Sequence, residues 1–510
     1  MKSFSPHLLL LAPALVLSLV WDIGYSLLSL ESVVGLVAAL MAGFLLGLLS
    51  VNRPRLRAVL LVFLFLSLLD VFFLRAAWMA WLVLAAGLSI AARFHERVPA
   101  TALVASGVAF SLILLLQAPQ APAREVALAD LTGAGETSMV VHLLFDELGA
   151  LDVIPAEYRR HQDVAEIAGG YASRGFTVYE DVLSVSPDTH RAMSALLDST
   201  YINSPDGNVK RFQGEDRYRV VNNEVHRRME DENWPVTIIQ SWYLDYCRPE
   251  FSCITYSLAG SASVFERLPD RKRRLQIFRR ELIAALVSND RGLVLVDLAR
   301  FAIHERLTVR SSWRNPALPL VAMQQLDQLQ EGLVSGSGRH YVFAHVLLPH
   351  FPWVLDGNCQ IKESSGWRLP YAARTGSSEA KAEAYAAYQD QSLCMHRKVL
   401  ALIDAVDSAH PGQVQFVIHG DHGPRILRRT IPNKGVDSLD EQTRKNLLSP
   451  FVAARLAGGG PASVRSTGAP LQKLIPDLLS RATQRRQGVV SGSWGGGARE
   501  ASKVKVRQMP

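Results

Sequence analysis

Three stretches place potential metal ligands within or directly after apolar runs. Asp146-Glu147 follows Met139–Phe145, and Asp421-His422-Gly423 follows Gln415-Phe-Val-Ile-His-Gly420. His350 follows Tyr341–Leu348, a run that itself contains His345. Carboxylates and imidazoles gathered at one sheet edge make a donor set for a divalent cation. A fourth stretch, Ser186-Pro-Asp-Thr189-His-Arg191, reads as a loop delivering Thr189 to the start of an amphipathic helix. Backbone N–H groups and the positive end of the helix dipole favour an alkoxide or a bound phosphate there. A threonine hydroxyl needs such help, and a metal, to act as a nucleophile at neutral pH. The same local pattern also fits a plain helix cap by Thr189 or Asp188. Arg191 offers either a clamp on a phosphoryl oxygen or a solvated first-turn cation. His345, inside its run, is a candidate for substrate phosphate or a hydrogen-bonded core residue. His190 flanks Thr189, and His419, just before Gly420-Asp-His-Gly423, is open between a functional and a structural role.

These residues need a frame that brings them to one edge. Apolar runs at Met139–Phe145, Val236–Gln240, Gly292–Leu298, Tyr341–Leu348 and Gln415–Ile418 predict short buried strands. Helical spacing over 188–199, 270–287, 318–334 and 378–408 fills the intervals. Alternating strands and helices predict an α/β sandwich on a mostly parallel central sheet. In such sheets ligands bind beyond the carboxyl ends of the strands, where the motifs above lie.

The 510 residues divide sharply by composition. Residues 1–118 are almost wholly apolar and predict about five membrane helices, near 7–25, 33–51, 56–75, 77–94 and 99–117. A linker over 119–137 leads to a soluble domain over 138–484, and the basic stretch 485–510 reads as a disordered tail. Arg53, Arg55 and Arg57 after the second span, and Arg93 and Arg97 after the fourth, place those loops in the cytoplasm. Five crossings then leave the large domain outside, although Arg75 lies on the side that should lack positive charge. That location excludes nucleic acid as a natural partner. All four cysteines fall in the outer domain, where disulfides form. Cys247 and Cys253 bracket a short loop and are paired on that ground, leaving Cys359 for Cys394. The net charge of +7 is modest, but seven of the fifteen residues from Arg267 to Glu281 are basic, interspersed with Leu275, Ile277 and Phe278. That stretch fits either a solvated helix or one lying on the outer bilayer surface.

Taken together, Phe145-Asp-Glu-Leu-Gly149, Pro187-Asp-Thr189 with Ser194 five residues on, Leu348-Pro-His-Phe-Pro-Trp353 and Gly420-Asp-His-Gly423 resemble the alkaline phosphatase/sulfatase superfamily. Within it, the chain resembles the membrane-anchored branch that contains phosphoethanolamine transferases and lipoteichoic acid synthases. That resemblance implies a nucleophilic Thr189 and one divalent ion (Mn, Mg or Zn) held by Asp146, Thr189, Asp421 and His422, with Glu147 assisting. His350 would bind substrate phosphate or protonate the leaving oxygen. The loop lacks the Cys/Ser-x-Pro-x-Arg pattern of sulfatases, and no histidine follows His422, which argues against a second zinc. The implied activity moves a headgroup phosphate, phosphoethanolamine or phosphoglycerol, from a membrane phospholipid to an envelope glycan or lipid. The enzyme would sit in the inner membrane with its catalytic domain on the periplasmic side. A hydrolase of the same fold and a non-catalytic membrane binding protein are the alternatives.

Overall fold

The structure is a computed structural model that describes residues 29–50, 138–212, 217–256, 270–272, 274–279, 317–363, 366–370, 373–374, 376–432, 435–456, 462–484 and 506–507, with the single residues 16 and 20. It divides into two compact units. One comprises Met1–Arg124 and Ser257–Ala317, the other Glu125–Tyr256 and Leu318–Pro510. Residues 257–317, which fall within the expected soluble domain over 138–484, are grouped with the first unit.

In the first unit, helix α1 (Leu30–Ser50) carries the second expected span. Among the described residues it is the one helix long and apolar enough to cross a membrane, over Leu30–Leu49. Val33, Val37, Met41, Leu45 and Leu49 stand exposed along it. The other four expected spans, the linker and the expected strand at Gly292–Leu298 lie outside the described residues. Helical residues at 271–272 and 274–279 belong to the same unit.

The second unit is an α/β domain around a nine-stranded sheet. Its strands are β1 (Ser138–Phe145), β2 (Thr177–Glu180), β5 (Val236–Ser241), β7 (Ser252–Tyr256), β8 (Arg339–Val346), β9 (Val414–Gly420), β10 (Val452–Arg455), β11 (Ser463–Ser466) and β12 (Val506–Arg507). They run in the order β12-β11-β2-β10-β9-β1-β8-β5-β7. The five strands from β9 to β7 are mutually parallel. Strand β10 runs antiparallel to both β9 and β2. Short strands β3 (Val209–Arg211), β4 (Tyr218–Val220) and β6 (Leu244–Asp245) form a small separate sheet. The dipeptide Val506-Arg507, inside the expected tail, pairs with the edge strand β11, while the rest of that tail lies outside the described residues.

Parallel strands must bury both faces, because their crossover helices cover each side. Accordingly Met139 to Phe145 and Val414 to Gly420 are buried without interruption. Helices α2 (His161–Ala172) and α6 (Ser378–Ala409) pack on one another, and α8 (Leu471–Gln484) packs on β1, β9 and α3 (Thr189–Leu197). Helices α4 (Glu224–Asp231), α5 (Ala317–Ser335) and α7 (Glu441–Leu448) complete the domain. Cys247 is bonded to Cys253 and Cys359 to Cys394, the latter joining a loop to α6.

The core encloses several histidines. Burial lowers His226 and His396 from 6.5 to about 3, so both are neutral in the folded chain at neutral pH. The unfolded chain takes up those protons below pH 6.5, so their contribution is complete above 6.5 and is lost as pH falls toward 3. Each pH unit in that window costs about 1.4 kcal/mol per histidine. Denaturant unfolding of the whole chain should therefore weaken between pH 7 and pH 5, and His396→Phe should flatten the slope. A stability that holds level or rises over that interval would contradict this account.

Candidate metal and nucleophile site

Strands β1 and β9 are adjacent and parallel, with Phe145 opposite Gly420. Their carboxyl ends therefore deliver Asp146 and Asp421 side by side. Asp421 Oδ1 accepts the backbone N–H of Glu147 at 3.0 Å and that of His422 at 2.9 Å. The glycines around Asp421-His422 are required by close approach: a Cβ at Gly420 would lie 2.1 Å from the Leu148 carbonyl oxygen, and one at Gly423 2.3 Å from that of Asn446.

Thr189 opens helix α3 and is only 3 % exposed. Neither residue of the expected cap acts as one. Asp188 stands at the N-cap position without a side-chain capping bond, and its carboxylate accepts from Arg191 at 3.0 Å. The Thr189 hydroxyl instead donates to Asp146 Oδ1 at 3.3 Å and lies 3.3 Å from His422 Nε2.

The tautomer of His422 follows from its neighbour. Nδ1 lies 2.8 Å from the Gly423 carbonyl, an acceptor, so Nδ1 carries the hydrogen. In the neutral ring Nε2 is then a bare lone pair, 2.9 Å from Asp421 Oδ2 and 3.9 Å from Asp146 Oδ1. Asp146 Oδ2 and Asp421 Oδ2 are buried without a hydrogen-bond donor. Burial, then the charges of Asp421 and Glu147, push the Asp146 carboxyl well above the usual carboxylate range. Three electron-rich groups thus converge, with ligand atoms within 4.8 Å of one another. That arrangement fits a divalent metal ion held by Asp146, Asp421 and His422, with the Thr189 oxygen beside it. After treatment with a chelator, adding Mn, Mg or Zn should raise the melting temperature. Linkage supplies about 2.7 kcal/mol at one hundred times Kd. Asp146→Asn should remove the rise, and a wild-type protein indifferent to all three ions would exclude the ion from this place.

The other expected residues are distributed differently. Glu147, the assisting ligand of the sequence reading, is turned away from the ligand group by a left-handed backbone at φ 64°. Its Oε1 accepts from Arg425 Nε at 2.9 Å and Nη2 at 2.6 Å. Burial raises its carboxyl, but His350 and Arg425 beside it outweigh that and hold it below its ordinary value. Arg191, the expected phosphate clamp, is 42 % exposed and is spent on Asp188 and on Asp206 at 2.7 Å. His345 is buried at the end of β8, with Nδ1 3.2 Å from the Tyr246 hydroxyl, and burial lowers it to about 4. His350 is also buried and lowered to about 4, chiefly by burial. Its Nδ1 faces the Phe351 carbonyl and so carries the hydrogen, and its Nε2 lies 3.9 Å from Glu147. His190 stacks on Tyr218 with centroids 4.1 Å apart. His419 Nε2 lies 2.7 Å from His142 Nε2, beneath the strand end.

Arg425 is the residue that sequence reasoning missed. It is buried, pairs with Glu147, and donates from Nη1 to the Pro187 carbonyl at 3.0 Å. One guanidinium thereby joins the loop after β1, the loop before Thr189 and the loop after β9. Its only signal in the sequence is its place two residues after Gly423.

No family model and no curated relative matches the sequence. Among solved structures, the chain is similar to the phosphonate monoester hydrolase SpPMH from Silicibacter pomeroyi, at 12% identity and TM-score 0.40 over 68% of this chain and 73% of that one. It is also similar to BT1596, a 2-O GAG sulfatase, at 12% identity and TM-score 0.40 over 69% and 73%. A third is the lipoteichoic acid synthase LtaP from Listeria monocytogenes, at 12% identity and TM-score 0.33 over 69% and 74%. These three are members of the alkaline phosphatase/sulfatase superfamily.

Proposed function

We propose that the protein is a membrane-bound phosphotransferase acting through a phosphothreonine at Thr189. In this reading it moves the headgroup phosphate of a phospholipid, phosphoethanolamine or phosphoglycerol, to a hydroxyl of an envelope glycan or lipid. The observation that carries the reading is the placement of the Thr189 hydroxyl. It is buried at a helix N-terminus, 3.3 Å from both Asp146 and His422, instead of capping the helix. Asp146, Asp421 and His422 would hold one divalent ion, Mn, Mg or Zn, which supplies positive charge beside the hydroxyl and the phosphoryl oxygens.

Thr189 Oγ attacks phosphorus, and the bond from phosphorus to the diacylglycerol oxygen breaks. The threonine proton leaves along the hydrogen bond to Asp146 and ends on the diacylglycerol hydroxyl. The acceptor hydroxyl then attacks the phosphothreonine, the bond to Oγ breaks, and the acceptor proton returns to Thr189. His350 is assigned the proton relay: Nε2, which carries no hydrogen in the neutral ring, first accepts the proton released by the attacking hydroxyl and then gives it to the oxygen that leaves.

Membrane placement is supported by α1, whose apolar side chains face outward along a length sufficient to cross a bilayer. It is supported again by Arg274, from the stretch following β7, which meets Glu31 at the first turn of α1. The arginines at 53, 55 and 57 favour a cytoplasmic location for the other end of α1, which supports an outer location for the Glu31 end.

The test is mass analysis of the purified protein after incubation with phospholipid. The expected result is a phosphoethanolamine or phosphoglycerol adduct on Thr189 that disappears when an acceptor is added. Release of free headgroup phosphate without any acceptor would make the enzyme a hydrolase. An adduct on another residue would overturn the mechanism.

A further inference from the structure

The basic stretch around 271–279 has no part in the chemistry above, yet it is built into the unit that contains α1. Within that unit Ile277 and Phe278 are buried, and the Phe278 ring lies against Gly35 of α1, where a Cβ would meet its Cζ at 3.0 Å. Arg274 Nε lies 3.0 Å from Glu31 Oε1, and the Glu31 side chain is 2 % exposed. A carboxylate so deeply placed at the start of an apolar helix needs a cationic partner, and the basic stretch supplies it. The apolar face of the stretch is thereby covered by protein, so it is not available to insert among lipid chains. Arg271, Lys272 and Arg279 remain exposed, and none has an ion-pair partner among the described residues. Three cations are thus held on a stretch that packs against the first turns of a helix of membrane-spanning length.

We propose that the 271–279 stretch is a headgroup-binding collar, tethered to α1 through Arg274–Glu31 and Phe278–Gly35, with Arg271, Lys272 and Arg279 binding anionic phospholipids of the outer surface. This rests on the membrane placement above and is independent of the phosphotransfer. The occupant is a lipid surface, because the charge is complementary to anionic headgroups and lies at the end of α1. A basic residue near an anionic bilayer contributes on the order of fivefold in apparent affinity, an effect screened by salt.

The test uses the full chain in nanodiscs of phosphatidylcholine carrying increasing fractions of phosphatidylglycerol. All four native cysteines are in disulfides, so Gln276→Cys accepts a single environment-sensitive fluorophore at an exposed position of the stretch. The fluorophore should respond to phosphatidylglycerol, with a half-maximal fraction that rises at high salt. The variant Arg271→Glu/Lys272→Glu/Arg279→Glu should lose the response, a shift of at least about 100-fold from the three lost charges, to which the three added negative charges contribute further. These positions are exposed, so the variant leaves the packing on α1 intact. A response equal in phosphatidylcholine alone, or unchanged by charge reversal, would make the stretch a solvated helix and overturn the proposal. Resistance of the chain to carbonate extraction is measured in parallel, and its loss would instead sink the membrane placement.

Discussion

Thr189→Val should abolish turnover while leaving the domain folded. Valine has nearly the shape of threonine and the same branching at Cβ, so the first turn of α3 should persist. Only the hydroxyl that faces Asp146 and His422 is lost. Losing a covalent nucleophile is expected to cost on the order of 10⁴-fold or more in kcat. Thr189→Ser keeps the oxygen and removes one methyl group, so it should retain turnover within roughly 100-fold, reduced by looser positioning of the hydroxyl. The pair of variants separates chemistry from packing. If the hydroxyl only supported the helix, valine and serine would differ mainly in melting temperature. If it is the nucleophile, they differ in turnover and in the ability to carry a phosphoryl adduct. A valine variant retaining more than about a tenth of the wild-type rate would remove Thr189 from the mechanism.

What the sequence disclosed, and what it hid, follows from how local each interaction is. Strands β1, β8 and β9 were legible because parallel strands buried on both faces read as unbroken apolar runs, and the acidic and histidine residues at their ends are punctuation in those runs. The short strands β2, β10 and β11 were not expected: each has four residues, and β10 runs against its neighbours. The choice between a capping and a reactive Thr189 could not be made locally. It depends on Asp146, 43 residues away, and on His422, 233 residues away. Glu147 was expected to share the role of Asp146 because the two are adjacent. The left-handed backbone at Glu147 separates them, sending one carboxylate to the ligand group and the other to Arg425. The basic stretch within Arg267–Glu281 was visible as charge, but its grouping with α1 depends on single contacts to Glu31 and Gly35 that no periodicity reports.

Arg425→Ala is expected to have the second-largest effect, and it should act in two separable ways. Glu147 is wholly buried, and Arg425 Nε and Nη2 are the donors to its Oε1. Removing the guanidinium leaves a buried carboxylate uncompensated, which costs about 3–5 kcal/mol. It also releases the Pro187 carbonyl, two residues before Thr189, which should disturb the approach of the hydroxyl to Asp146. Arg425→Lys restores the charge but not the fork that reaches both Glu147 and Pro187, so it should recover stability better than turnover. The double variant Glu147→Leu/Arg425→Met replaces the ion pair with apolar groups, which is often neutral or stabilising. Its melting temperature should return close to wild type while kcat stays low and KM changes little, since the loop before Thr189 is still untied. That separation between stability and turnover identifies Arg425 as a positioning residue. Should the double variant recover turnover together with stability, Arg425 would be a structural counter-ion to Glu147 and nothing more.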